Sequence, residues 1–192
     1  SSFALPFYSI IKAVNDYFYG NYGPARDEIF KIFRTCYEQE ISSRFDYMRI
    51  LIEVRQGRAP AEVFKLVAEA EEAAGKKDDQ GAKDKFEQAR IIAPNFGYPL
   101  FALGRYFARV NDPFRAINSF QRAYQLDSLY LGAYRECYNL YRRQAIYKSC
   151  VEVLTLAIQR GNDYWETNYK LGEALKGDAD YARAIQSFEH AL

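Results

Sequence analysis

The residues best equipped for chemistry in this chain are cationic and aromatic, and they cluster. Between residues 97 and 150 there are eight basic side chains against three acidic ones, a local surplus of five positive charges. A guanidinium can grip a carboxylate through two parallel hydrogen bonds and can also stack on a ring. In the same stretch Tyr130, Tyr134, Tyr138 and Tyr141 recur at helical spacing. Such a stripe serves either as a stacking surface for single-stranded nucleic acid or as packing between helices. Other chemistries lack their parts. Three widely spaced cysteines, Cys36, Cys137 and Cys150, make neither a disulfide framework nor a metal motif. His190 is the only histidine and has no cysteine near it. No Gly-rich phosphate loop follows a strand pattern, and no Ser/His/Asp order can be assembled. Acid pairs such as Glu71-Glu72 and Asp78-Asp79 fit solvated helix ends. No enzyme is expected, and no metal or other cofactor.

Helices must position these side chains, because the marker residues repeat with one period. Ala89, Ala123, Ala157 and Ala191 are 34 positions apart, as are Phe86, Phe120, Leu154 and Phe188, and Ala82, Ala116, Cys150 and Ala184. A fixed period of this length marks stacked helical hairpins. The 192 residues hold between five and six such units. The composition, 49% hydrophobic and 27% charged, is that of a folded chain. With 17 Tyr and 14 Phe, most rings should fill the layers between helices. The net charge of +1 argues against a dedicated nucleic-acid binder. No apolar run approaches the roughly 20 residues of a membrane span. The cysteine pattern favours a reducing compartment, the cytoplasm; a periplasmic or membrane-tethered full-length protein is the alternative. The sequence begins Ser-Ser-Phe without Met and stops short of completing a repeat, so a piece of a longer protein is expected.

In chain order, Phe7, Ile10, Ile11, Val14 and Phe18 share one helical face, broken by Gly20 and Gly23. Pro24 suits the first turn of a second helix reaching about Gln39, and Ser43 caps a third that Gly57 ends. Pro60 opens a fourth, stopped by Gly75. Asp79 is placed to cap the next helix, 80–92, which Pro94 ends. Helix pairs follow at 97–109 with 113–127, 131–143 with 147–160, and 164–176 with 180–192. The phase is firm from residue 63 onward. Before that two registers compete, one running 29–62 with Cys36 and Arg55 at marker positions, the other using Ala13, Ala25 and Ile29.

These residues resemble the tetratricopeptide repeat (TPR) family. Repeat 97–130 carries its pattern as Leu100, Leu103, Gly104, Phe107, Ala116, Phe120 and Ala123, with Ser128 where Pro is usual. Repeat 165–192 carries Leu171, Gly172, Leu175, Ala184, Phe188 and Ala191, with Asn168 at the bulky position. In 63–96 the second helix fits (Ala82, Phe86, Ala89, Pro94) but Glu69-Ala70 replaces Leu-Gly. Repeat 131–164 departs furthest, with Cys137, Tyr138, Cys150 and Leu154; Tyr138 in place of a small residue should push its two helices apart. The resemblance implies an all-α, TPR-type right-handed superhelical solenoid of antiparallel helix pairs, about 11 helices. Residues 1–62 would be degenerate or capping N-terminal helices. Residues 63–192 would be the array, with repeats 63–96, 97–130, 131–164 and a truncated 165–192.

The resemblance also implies a concave groove lined by the first helix of each pair. Carried onto this chain, its lining includes Phe64 and Tyr98, Phe101, Arg105 and Arg109. Further along it includes Arg135, Asn139, Arg142 and Arg143, then Tyr169 and Lys176. The tyrosine stripe falls on core positions, and Cys137 faces Cys150 as a buried thiol. A carboxylate clamp of the chaperone-binding kind would need Asn where Lys170 stands, so only Arg135 and Asn139 fit it. The function expected is non-enzymatic: a scaffold or adaptor for protein–protein interaction, holding an acidic partner segment in the groove and assembling a complex. Nucleic acid is not the expected partner. RNA binding is the alternative from another class, and self-association through the terminal helices, as a homo-oligomer, is another.

Overall fold

The computed structural model describes residues 12–25, 27–28, 52–57, 59–126, 131–161, 163 and 165–192. The chain divides into two compact units, residues 1–61 and 62–192.

In the first unit residues 12–18 are helical, a left-handed Gly20 (φ 77°) turns the chain, and helical residues resume at 22–25. Lys12 Nζ donates to Glu28 Oε1 at 3.1 Å, tying the two segments together. Ala13 and Ala25 are fully buried, while Arg55 is exposed. Burial therefore follows the register that uses the two alanines as its small residues. Val14 and Phe18, from the apolar face expected at the N-terminus, are 37% and 79% exposed within the unit. Phe7, Ile10, Ile11, Ile29, Cys36, Ser43 and most of the second and third expected helices lie outside the described residues.

Among the described residues the second unit is a run of eight helices: α1 Glu62–Gly75, α2 Asp79–Ile92, α3 Gly97–Arg109, α4 Pro113–Leu126, α5 Leu131–Arg143, α6 Tyr147–Gln159, α7 Trp165–Gly177 and α8 Tyr181–His190. Consecutive helices pack on one another throughout, and among the described residues there is no strand. Neighbour-on-neighbour packing buries one continuous seam instead of a single centre.

The hairpin turns are copies of one another. Lys77, Asn111, Ala145 and Ala179 all take the left-handed conformation, at φ between 55° and 64°. Each stands 34 residues after the last. The N–H that follows each one bonds back five residues: Asp78 to Ala73 O, Asp112 to Phe107 O, Ile146 to Tyr141 O and Asp180 to Leu175 O. These bonds satisfy carbonyls that the helix end leaves orphaned. The same residue then starts the next helix. Asp78, Asp112 and Asp180 each accept a hydrogen bond from the backbone N–H three residues on, at 2.9, 3.0 and 3.2 Å. Ile146 makes no side-chain cap. The cap of α2 is thus Asp78 and not Asp79 as the sequence led us to expect. Asp79 instead joins α2 to α3, its Oδ1 accepting the Tyr106 hydroxyl at 2.8 Å.

Within each hairpin a size exchange sets how closely the helices cross. A Cβ at Gly104 would stand 2.6 Å from the Phe120 ring, and one at Gly172 would stand 2.6 Å from the Phe188 ring. These glycines make room for a phenyl ring from the partner helix. In 131–164 the exchange runs the other way: the large residue is Tyr138, 2% exposed, and its counterparts are Leu154 and Cys150. Helices α5 and α6 pack less closely than α1 with α2, α3 with α4, or α7 with α8.

The missing cap is open to test. Ile146 is 41% exposed, so replacing it loses little burial. Ile146→Asp should stabilise the chain by about 1 kcal/mol, and Asp112→Ala should cost about as much. Urea unfolding reads both; an unchanged midpoint for Ile146→Asp would show that this turn does not limit stability.

Candidate functional site

The side chains expected in the groove fall into three groups. At the α1–α3 end, Tyr98 stacks on Phe64 with ring centroids 5.6 Å apart and planes 29° from parallel. It also meets Phe96 at 6.2 Å. Phe101 does not join this display. It is 6% exposed, tilted against Phe120 at 5.6 Å. Its ring also sits where a Cβ on Gly132 would come within 3.1 Å. Phe101 is therefore packing between repeats, a correction to its expected place on the groove surface.

The second group is cationic. Arg105 and Arg109 are exposed on α3. Arg109 borders a 320 Å³ depression with Lys77, Asp79 and Tyr106. Arg135, on α5, is half-buried and its Nη2 lies 3.5 Å from Glu136 Oε1. Its charge is engaged locally.

The third group gathers around two depressions. Asn139, Arg142 and Arg143 line an open depression of 410 Å³. Arg142 also lines a second one, of 360 Å³, together with Tyr169 and Lys176. The walls of this pocket are the rings of Tyr138, Tyr147, Tyr169 and Phe188. Arg142 and Lys176 supply positive charge and Glu173 a carboxylate. The pocket lies at the junction of the α5–α6 and α7–α8 hairpins, and Arg142 links the two depressions. Of the groove residues that the resemblance implied, Asn139, Arg142, Arg143, Tyr169 and Lys176 meet here; Phe64, Tyr98, Phe101, Arg105, Arg109 and Arg135 line neither depression. The resemblance also placed Glu173 in the groove, whereas sequence reasoning missed Tyr138, Tyr147 and Phe188 as parts of one pocket. The departure at Tyr138 was its only visible signal.

The tyrosine stripe is packing. Tyr134 and Tyr138 are 1% and 2% exposed. Tyr134 lies flat on Tyr124, centroids 4.3 Å apart and planes 8° from parallel. Arg160 Nη1 donates both to Tyr124 O at 3.0 Å and to the Tyr134 hydroxyl at 3.1 Å, and Gln121 Nε2 donates to the Tyr141 hydroxyl at 3.2 Å. Tyr130 lies outside the described residues. Cys137 and Cys150 are buried free thiols that turn away from each other: one Sγ faces Ile117 O at 3.9 Å, the other Tyr138 O at 3.8 Å. Burial raises both, Cys150 to about 11. Lys170, where a carboxylate clamp would need Asn, pairs with Glu166 at 2.7 Å and lies 5.9 Å over the Tyr138 ring. Among the described residues no cluster of three His, Cys, Asp or Glu could hold a metal, and no helix is long and apolar enough to cross a membrane.

No protein-family model matches the chain, and no curated protein matches it in sequence. Solved structures do match in shape. One, titled MamA 41-end from Desulfovibrio magneticus RS-1, is 18% identical with a TM-score of 0.54, over 68% of this chain and 74% of that one. A crystal structure of MamA protein is 14% identical with a TM-score of 0.56, over 98% of this chain and 90% of that one. Another crystal structure of MamA is 15% identical with a TM-score of 0.56, over 93% and 91%. At these identities the likeness concerns the fold, and the fold is an all-α TPR-type solenoid of antiparallel helix pairs.

The buried hydroxyls predict an alkaline limit. Burial first, and then the bond to Asp79, pushes Tyr106 from 10.0 up to about 12. Burial likewise raises Tyr124, Tyr134 and Tyr141. A raised folded-state value contributes stability that is whole below the unfolded value and lost as pH climbs through the folded one. Stability should therefore be level up to about pH 9, where the raised Cys137 and Cys150 thiols begin to count, and fall from there to about pH 12 as the buried tyrosines follow. Tyrosinate absorbance from these rings should appear only as the helical signal is lost. Ionisation of all tyrosines near pH 10 with helicity intact would contradict this.

Proposed function

We propose that this chain is a non-enzymatic protein-interaction scaffold that holds an acidic segment of a partner against the α5–α7 face. One observation carries the reading. Five of the groove residues that the resemblance implied converge on two depressions that share Arg142, and the charge there is mainly positive. Arg142 and Arg143 are exposed at the last turn of α5. Their position beside a preformed hollow suits a carboxylate-bearing chain, which two guanidinium groups can grip bidentately. A preformed hollow also spares the cost of ordering the receptor on binding. The ring stack of Phe64 and Tyr98 gives a second, apolar contact point further along the array. RNA is less well served, because Tyr134 and Tyr138, the rings on which bases would stack, are inside the core.

A specific observation favours a second reading for α8. Val151 is 9% exposed, while its counterpart one period later, Ile185, is 58% exposed beside Tyr181 at 63%. This face has the pattern of one that packs on a neighbouring helix, here from a second copy of the chain. Sedimentation equilibrium at rising concentration should then show association that Ile185→Glu abolishes; a monomer throughout would discard the reading.

For the groove, the paired reversal Arg142→Glu with Arg143→Glu should weaken capture of an acidic partner by about tenfold or more. It should change stability by less than about 0.5 kcal/mol, since both side chains are on the surface. Comparative capture from native extract reads the first and urea unfolding the second. Equal partner capture by wild type and variant would defeat the groove reading. Retention of RNA at low salt and its steep loss at higher salt would replace it with nucleic-acid binding.

A further inference from the structure

The pocket between the last two hairpins differs from its counterpart at the first junction in the side chain held at one position of the repeat. That position is held by Tyr106 in α3, Leu140 in α5 and Ala174 in α7, each 34 residues after the last. At the first junction Tyr106 is 1% exposed and its hydroxyl is tied to Asp79 across to α2. The depression there ends on that ring. At the last junction Ala174 offers only a methyl group, and the pocket is backed by two buried core residues, Tyr138 and Cys150. The flanking position loses bulk in the same way: Arg109 and Arg143 give way to Gly177. A Cβ at Gly177 would collide with the Tyr147 ring, so that ring lies against it and forms a wall. The result is a hollow of 360 Å³ between tyrosine and phenylalanine rings, open to solvent, with Arg142 and Lys176 on its lining.

We infer that this pocket receives a single aromatic side chain of a partner segment, standing where Tyr106 stands at the first junction, with carboxylates beside that ring meeting Arg142 and Lys176. The proposal rests on the groove reading above and adds to it the residue type that anchors the partner. Three features support an aromatic occupant. The volume suits one large planar side chain. The walls are rings, which favour offset or edge-on contact with another ring. The same repeat position carries a buried tyrosine, Tyr106, in α3. The two cations and the open mouth set the flanking chemistry as acidic, because a bare aliphatic anchor would leave the guanidinium and ammonium unanswered. Anchors of this kind, an aromatic ring in a desolvated pocket ringed by charge, commonly dominate an interface.

The test uses the whole chain and two synthetic fluorescent peptides that differ at one site. Both are ten-residue Asp/Glu-rich segments; one has a central Phe and the other Ala. The Phe peptide should bind about tenfold or more tightly than the Ala peptide. Ala174→Tyr should erase that difference by placing in the pocket the ring found in α3. Ala174→Leu, which copies α5, should narrow it; this variant keeps the test open if the tyrosine does not fold. Arg142→Glu should weaken both peptides together. Equal binding of the two peptides by wild type overturns the pocket proposal and leaves the groove reading standing. Binding of neither peptide overturns both. Self-association that Ala174→Tyr abolishes assigns the pocket to a second copy of this chain and also overturns the proposal.

Discussion

The array depends on an exchange of volume between the two helices of each hairpin. Where the first helix has glycine, the second has phenylalanine, as in Gly104 with Phe120 and Gly172 with Phe188. Interiors are packed as tightly as organic crystals, so a methyl group added at 2.6 Å from a ring has nowhere to go. The exchange fixes the depth at which the helices cross, and that depth fixes where the outer faces of the hairpin sit. Everything the surface offers a partner is referred to it. The left-handed turn at Lys77, Asn111, Ala145 and Ala179 then sets the direction in which the chain returns.

One hairpin breaks the exchange and is held by other means. In α5–α6 the ring is Tyr138 on the first helix, and the partner residues are Leu154 and Cys150. This hairpin also lacks the aspartate cap that starts the second helix of the other three. Each departure removes a device that the other hairpins of the second unit use. The compensation lies on its N-terminal side. Arg160 bridges Tyr124 O and the Tyr134 hydroxyl, the two tyrosine rings stack at 4.3 Å, and Gln121 reaches Tyr141. In a linear array each unit draws its stability from its neighbours, so a weak hairpin can persist when one interface is reinforced. The reinforced interface faces α4. The opposite one, facing α7, is left with the pocket.

How much of this was legible beforehand depended on whether a residue acts through its presence or through its relation to others. The 34-residue period is carried by single residues, so helix bounds from α1 onward could be read to within about two positions, and Tyr138 was already visible as a misfit. The cap of α2 was missed because Asp78 and Asp79 are both acidic; only the backbone path decides that Asp78 meets Gly81 N–H while Asp79 reaches Tyr106. Phe101 was misplaced for a related reason. A groove position near the crossing of two repeats can serve either the surface or the seam, and the Gly132 backbone on the next helix lets the ring turn inward. Arg160 gave no signal at all, since its partners are a carbonyl and a hydroxyl supplied by the preceding hairpin.

The pocket is the extreme case, because one of the residues that shape it is small. Ala174 is an ordinary helical residue by every local criterion, and its helix propensity is the highest available. Its meaning appears only when it is aligned with Tyr106 and Leu140 and the volume of the three is compared. In a globular core such a substitution would be offset by some rearranged neighbour. In this array the neighbour is Tyr147, in register with Asp79, whose ring lies where a Cβ at Gly177 would stand. The change from Tyr106 to Ala174 therefore alters what lines the junction, from a tyrosine tied to an aspartate to an opening walled by rings. Charge is already present at its edge, because the last turn of α5 ends in Arg142 and Arg143. A repeat protein can in this way change what a junction offers by exchanging side chains at a few register positions while its fold continues to be specified by the others.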